Sequence, residues 1–241
     1  MMNSYIAVDL ETTGLNPKSD RILEIGALKI IDGKEQGIFK SFVDPRMKVP
    51  AYITELTGIT DEMVSGQPTA ETAVKEFLGF AEDLPLLGHN VMFDYSFLKH
   101  QAVNQRLEFE RRACDTLKIA RKAFPGLPSR SLEAMCAYYQ IDRTHAHRAF
   151  DDAKATDELY RLLGREYKDL HQDWFEPQNL NLKVKRQGPI TEAQKRYLND
   201  LLKYHKIECN AAIESLTKNE ASRMIDNIIL SHGRIERGKR L

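Results

Sequence analysis

Asp9 and Glu11 flank Leu10 at the end of a strand-like run, Tyr5-Ile6-Ala7-Val8, and strand alternation puts both carboxylates on one face. Two facing carboxylates repel, and a divalent cation relieves the repulsion by using their oxygens. A solvated strand end accounts for this pair alone, but the Thr12-Thr13-Gly14 turn that follows sets hydroxyls and backbone N–H groups beside the acids. Asp94 closes the segment His89-Asn90-Val91-Met92-Phe93-Asp94 at the start of a helical pattern, where an acid also interacts favourably with the helix dipole. His147-Arg148-Ala149-Phe150-Asp151-Asp152 opens another helix, and a charged first turn accounts for it when it is taken singly.

These residues need a scaffold, and the periodicity supplies one. Strand-like runs cover Tyr5 to Val8, Arg21 to Ile31 and Gly37 to Val43, with Asp32-Gly33 as the hairpin signal between the last two. Apolar residues at three- and four-residue spacing predict a helix over 69–81, and the run Leu84 to Leu87 reads as a further strand. Helical patterns follow over 93–104, 116–123, 131–139 and 149–166. Strands first and then strands interleaved with helices indicate an α/β fold, a mixed sheet covered by helices. Residues 168–189 read as a linker. Beyond them Thr191-x-x-Gln194 and Thr217-x-x-Glu220 carry the capping-box signature of two helix starts, giving a small helical module over 190–241.

Composition narrows the function classes. Of 241 residues, 35 are basic and 35 acidic, the profile of a soluble protein. No apolar run reaches the roughly 18–20 residues of a membrane span, and acids arrive too early for a secretory leader. Cys114, Cys136 and Cys209 are an odd number with no C-x-x-C spacing, so neither a disulfide framework nor a thiolate metal site is expected, and a cytoplasmic location is. The neutral total hides an asymmetry: residues 1–182 hold 22 basic and 28 acidic side chains, residues 183–241 hold 13 and 7. A basic appendage either is a solvated surface or attracts a polyanion such as nucleic acid.

Taken together, Asp-x-Glu-Thr-Thr-Gly, then His-Asn-x-x-Phe-Asp, then His-x-x-x-x-Asp resemble the DEDDh family of 3′→5′ exonucleases, which includes the proofreading epsilon subunit of bacterial DNA polymerase III. The likeness runs from Ser4 to about Tyr167 and takes in Glu55-Leu56-Thr57-Gly58-Ile59-Thr60 and Cys114-Asp115-Thr116-Leu117. It implies a ribonuclease H-like domain over 1–167, with a mixed five-stranded sheet flanked by helices. It implies Asp9, Glu11, Asp94 and Asp152 as ligands for two Mg²⁺ or Mn²⁺ ions and His147 as general base. Asp151 falls outside the histidine-to-aspartate offset, and His145 stands seven residues from Asp152, so neither receives a role. Arg148 occupies the position where the sibling class carries a tyrosine base.

Phosphodiester hydrolysis needs an activated water and an answer to charge on the leaving oxygen, and two hard cations roughly 3.5–4 Å apart serve both ends. Neutral imidazole, with an unperturbed pKa near 6.5, can accept the water's proton. The resemblance places the terminal nucleotide against Leu15, Leu56, Thr57 and Phe93, with polar contacts from Thr12, Thr13 and Asn90. Asp115 reads as the cap of the helix that Thr116 opens.

The expected activity is release of nucleoside 5′-monophosphates from the 3′ end of single-stranded DNA, in proofreading or repair. An RNA 3′→5′ exonuclease acting on short RNA or RNA ends is the alternative within enzymes. A nucleic-acid-binding or replisome-docking module is the alternative outside them, and it would not need all five residues. Single-stranded nucleic acid, DNA before RNA, is the expected partner, with a DNA polymerase or sliding clamp as a further one. Lys195, Arg196, Lys203, Lys206, Lys218, Arg223 and the cluster from Arg234 to Arg240 are the candidate phosphate contacts of the tail. Gln178-Asn179-Leu180-Asn181-Leu182 faintly resembles a clamp-binding peptide.

Overall fold

A computed structural model describes residues 1–143, 146–209 and 212–235. His145 and the end of the basic cluster, Arg237, Lys239 and Arg240, lie outside the described residues. Three strands come first: β1 (Tyr5–Thr12), β2 (Ile22–Ile31) and β3 (Lys34–Phe42). Two short helices, α1 (Ala51–Thr57) and α2 (Asp61–Val64), precede α3 (Ala70–Ala81) and β4 (Leu86–Gly88). Then come α4 (Met92–Asn104), β5 (Arg112–Asp115), α5 (Thr116–Ala123), α6 (Leu132–Tyr139), α7 (Ala149–Tyr167) and β6 (Gln178–Asn179). Two more helices, α8 (Glu192–His205) and α9 (Lys218–His232), close the chain.

Among the described residues the strands form one mixed sheet of order β3-β2-β1-β4-β5-β6. The first three strands are antiparallel, β1, β4 and β5 run parallel, and β6 returns antiparallel on the edge. Alternation along β1 sorts the two cores. Ile6, Val8 and Leu10 pack with Val74 and Phe77 of α3 and Tyr95 and Leu98 of α4. Tyr5 and Ala7 pack with Ile119 of α5, Met135 of α6 and Leu159 and Leu163 of α7. Asp9 and Glu11 continue the second series, on the face that α7 covers.

The sheet differs from the expected five strands by β6, which is built from the start of the expected linker. Phe175 and Leu180 are buried in the two cores, so the first half of 168–189 is tied to the sheet. Within the stretch that resembles a clamp-binding peptide, Gln178 and Asn179 pair with β5 and Leu180 is buried.

Both capping boxes are present, with Thr191 and Gln194 opening α8 and Thr217 and Glu220 opening α9. Leu198, Leu201, Leu216, Ala221, Ile225 and Ile228 form the small core between these helices. The pair meets the main body where Arg21 reaches Glu220 at 3.1 Å and the Ala212 N–H reaches the Arg46 carbonyl at 3.4 Å.

Candidate active site

β1 delivers Asp9 and Glu11, α4 delivers Asp94 in its first turn, and α7 delivers Asp152 in its first turn. The turn before α7 supplies His147, whose φ of 62° is left-handed, a conformation in which histidine is enriched among non-glycine residues. Ligand atoms of Glu11, His147 and Asp152 lie within 4.8 Å of one another. Asp94 is joined to β1 between the two strand acids, because the Leu10 N–H donates to Asp94 Oδ1 at 3.0 Å.

Burial and mutual charge act together on these acids. Burial pushes the Asp9 carboxyl well above its ordinary range, and the charges of Asp94, Asp152 and Glu11 push it further. Glu11 is raised to about 8, first by burial and then by Asp152 and Glu24. Asp94 is raised by burial, against the opposing pull of its backbone hydrogen bonds. Such a set has oxygen donors and one imidazole and no thiolate, the chemistry that Mg²⁺ or Mn²⁺ prefers, so the residues fit the divalent cations expected of them.

Three side chains that hold this arrangement were not anticipated from the sequence. Glu24 stands directly across from Glu11 on β2, only 4% exposed. It takes the Arg148 guanidinium through Nε at 3.1 Å and Nη2 at 3.0 Å, and accepts the Ala149 N–H at 3.2 Å. It thus caps α7, whose own N-cap Arg148 makes no side-chain cap bond, and fixes the turn that carries His147. Arg143 donates through Nε and Nη2 to Oδ1 and Oδ2 of Asp152, both at 2.6 Å. Glu24 carried a signal, an acid inside the apolar run Ile22-Leu23-Glu24-Ile25, whereas nothing in the spacing marked Arg143 or Arg148.

Gly26 explains how α7 comes so near. A Cβ there would lie 2.0 Å from the Phe150 nitrogen and 2.2 Å from the Ala149 carbonyl carbon. Only glycine lets the helix start rest on β2, opposite Asp9 in the β1–β2 register.

The expected substrate residues divide. Leu15 and Leu56 stand out at 84% and 54% exposure, and Asn90 is exposed. Phe93 is half-buried, packed against the core and 5.1 Å from the Phe97 ring. The hydroxyls of the three threonines each bond within the chain. Thr12 donates to the Gly14 carbonyl, Thr13 accepts the Arg21 N–H, and Thr57 donates to the Ile53 carbonyl while accepting the Ile59 N–H. All three are buried, and these bonds shape the turns beside the site. Tyr52 joins the exposed set at 61% and donates to the Thr13 carbonyl at 3.0 Å, binding α1 to the turn after β1.

Asp115 caps α5 through the Leu117 N–H and also takes the Asn90 N–H, each at 3.0 Å. His89 is held between Thr116 Oγ1 at 2.9 Å and the Arg130 carbonyl at 2.8 Å, and burial lowers its pKa. Both residues position the loop that leads into Asp94. A hollow of about 550 Å³ at the β5–β6 edge, lined by Asp83, Glu110, Arg111 and Asn179, contains none of the five candidate groups.

The exonuclease model of the RNase T family matches residues 6–160, which holds every one of these groups. The chain belongs to the RNase T family of exonucleases. This exonuclease is 34% identical over 173 residues to the DNA polymerase III subunit epsilon of Aquifex aeolicus, a match spanning 71% of its own length and 83% of that protein. It is 38% identical over 167 residues to the DNA polymerase III PolC-type of Clostridium perfringens, spanning 69% of its own chain and 12% of the other. The exonuclease therefore covers a small part of its PolC-type relatives.

Solved structures share the fold. Exonuclease X in complex with 5′ overhanging duplex DNA superposes with a TM-score of 0.54 at 24% identity, over 68% of this chain and 92% of the other. E. coli exonuclease I in complex with a dA16 oligonucleotide gives 0.62 at 20% identity, over 72% and 43%. Among the described residues, no helix of the exonuclease is long and apolar enough to cross a membrane.

Proposed function

We propose that this exonuclease removes nucleotides in the 3′→5′ direction from single-stranded DNA, releasing nucleoside 5′-monophosphates, in a proofreading or repair role. The observation that carries the reading is the grouping of Glu11, His147 and Asp152, whose ligand atoms lie within 4.8 Å of one another, with Asp9 on the same strand as Glu11 and Asp94 bonded to the Leu10 N–H between them. Asp9, Glu11, Asp94 and Asp152 would hold two Mg²⁺ or Mn²⁺ ions. When bound, such ions lower the pKa of water and offset charge on the departing oxygen.

The chain's own residues supply the rest. His147 offers a ring nitrogen to take the proton of the attacking water. Glu24 holds that histidine's turn in place through Arg148 and Ala149, so the proton acceptor is positioned before substrate arrives. Leu15, Tyr52 and Leu56 offer an exposed apolar ledge beside the Thr12–Gly14 turn, suited to packing on a base without reading its identity. The Aquifex relative's name supports the polymerase-associated setting, and exonuclease I's complexes with oligonucleotides support a single strand as substrate.

Digestion of 3′- and 5′-labelled single-stranded DNA, duplex DNA and RNA with Mg²⁺ or Mn²⁺ tests the reading. Stepwise shortening from the 3′ end, fastest on single-stranded DNA and lost in Asp152→Asn, is expected. Faster cleavage of RNA would transfer the proposal to an RNA exonuclease, and binding without cleavage would leave a docking module.

A further inference from the structure

Arg143 is the one cation in contact with a candidate metal ligand among the described contacts, and it engages that ligand completely. Its Nε and Nη2 each lie 2.6 Å from a different oxygen of Asp152, in the two-pronged geometry that matches guanidinium to carboxylate. The pair is enclosed, with side-chain exposures of 11% and 6%. Its influence extends further, because the same guanidinium pulls the Asp9 and Glu11 carboxyls down against the forces raising them. Arginine cannot shed its charge near neutral pH, so deprotonation of Arg143 does not break the pair.

We infer that Arg143 is a positioning residue that serves as the resident counter-ion of the acid cluster, and that a divalent cation enters by exchanging with it at Asp152. The inference rests on the exonuclease reading of this site. Both oxygens of Asp152 are committed to Arg143, so cation and guanidinium compete for one carboxylate. Arg143 offsets one acid's charge before cation binding, and weakens apparent cation affinity in return. That affinity is reduced by the fraction of molecules in which Asp152 is paired.

The test compares wild type, Arg143→Gln and Arg143→Lys by Mn²⁺ titration with calorimetry or electron paramagnetic resonance, and by melting in EDTA and in saturating Mn²⁺. Arg143→Gln should bind Mn²⁺ at least tenfold more tightly. It should melt well below wild type in EDTA, and the gap should narrow in Mn²⁺. Arg143→Lys keeps the charge without the fork and should fall between the two, which also serves if the glutamine variant does not fold in EDTA. Unchanged or weaker Mn²⁺ binding in both variants, or a melting deficit equal in both conditions, overturns the inference. Failure of wild type to bind Mn²⁺ would strike the exonuclease reading itself, a result separable from any difference between variants.

Discussion

Gly26→Ala isolates the role of helix placement in this site. The added Cβ would meet backbone atoms, at 2.0 Å from the Phe150 nitrogen, 2.2 Å from the Ala149 carbonyl carbon and 2.5 Å from the Phe150 Cα. Ordinary contact begins at 3.4 Å, so the start of α7 must retreat about 1.4 Å from β2. Asp152 lies two residues beyond Phe150, and the turn carrying His147 is tied to β2 through Arg148 and Glu24. A misplacement of about 1 Å at reacting groups lowers rates about 10²-fold, and overpacking costs about 1–3 kcal/mol. The variant should therefore lose about 10² in kcat at saturating Mg²⁺ and about 1–3 kcal/mol in urea unfolding, with KM little changed. Gly79→Ala is the matched control, since a Cβ there in α3 has nothing within 4 Å, and it should be neutral or stabilising by about 0.5–1 kcal/mol. Wild-type kcat and unfolding midpoint in Gly26→Ala would refute the claim that α7 sits against β2 by this close approach.

His147→Ala should lower kcat about 10²- to 10⁴-fold while leaving Mn²⁺ binding measurable by calorimetry; a rate within a few-fold of wild type removes the base assignment. Glu11 is raised from 4.5 to about 8 by burial and neighbouring charge, so its protonated form favours the fold below about pH 4.5 and that stability drains away as pH rises towards 8. Melting temperature in EDTA should therefore fall over this window and flatten when Mg²⁺ is added, and a flat profile in EDTA contradicts the buried-carboxylate account. Arg196, Lys203, Lys206 and Lys218 are exposed on the C-terminal helices, whereas Lys195 is paired with Glu214. Reversing these four charges to Glu in the full chain should weaken single-stranded DNA binding and flatten the log K against log salt slope by about 0.7 per lost phosphate contact. An unchanged slope assigns those charges to solvent.

Much of the scaffold was legible because local signals and tertiary fate agree. Asp115 does cap α5 as its place before Thr116 suggests, and Thr191 and Thr217 begin the helices that their capping boxes announce. Strand alternation grouped Asp9 with Glu11. The losses occur where long-range packing decides. β6 has a linker's composition, and it becomes a strand only because β5 leaves an edge and Leu180 finds the core. α1 begins after Pro50 without a side-chain cap, so Tyr52 and Leu56 share a helix with little local warning.

The charge inventory links these observations. Asp9, Glu11, Asp94, Asp152 and Glu24 bring five acids to one end of the sheet, and Arg143 and Arg148 answer two of them through paired bonds. The remainder shows in the raised carboxyls of Asp9, Glu11 and Asp94. Buried like charges of this kind destabilise a fold, so a packing that gathers them needs a compensating partner. The two arginines differ in what they guard. Arg148 binds Glu24, a residue outside the candidate ligand set, and can stay in place throughout a catalytic cycle. Arg143 binds Asp152 itself and, in the exchange proposed above, gives way when that carboxylate takes a cation. One guanidinium therefore belongs to the permanent frame and the other to the exchangeable contents of the site, a distinction that follows from which acid each one holds.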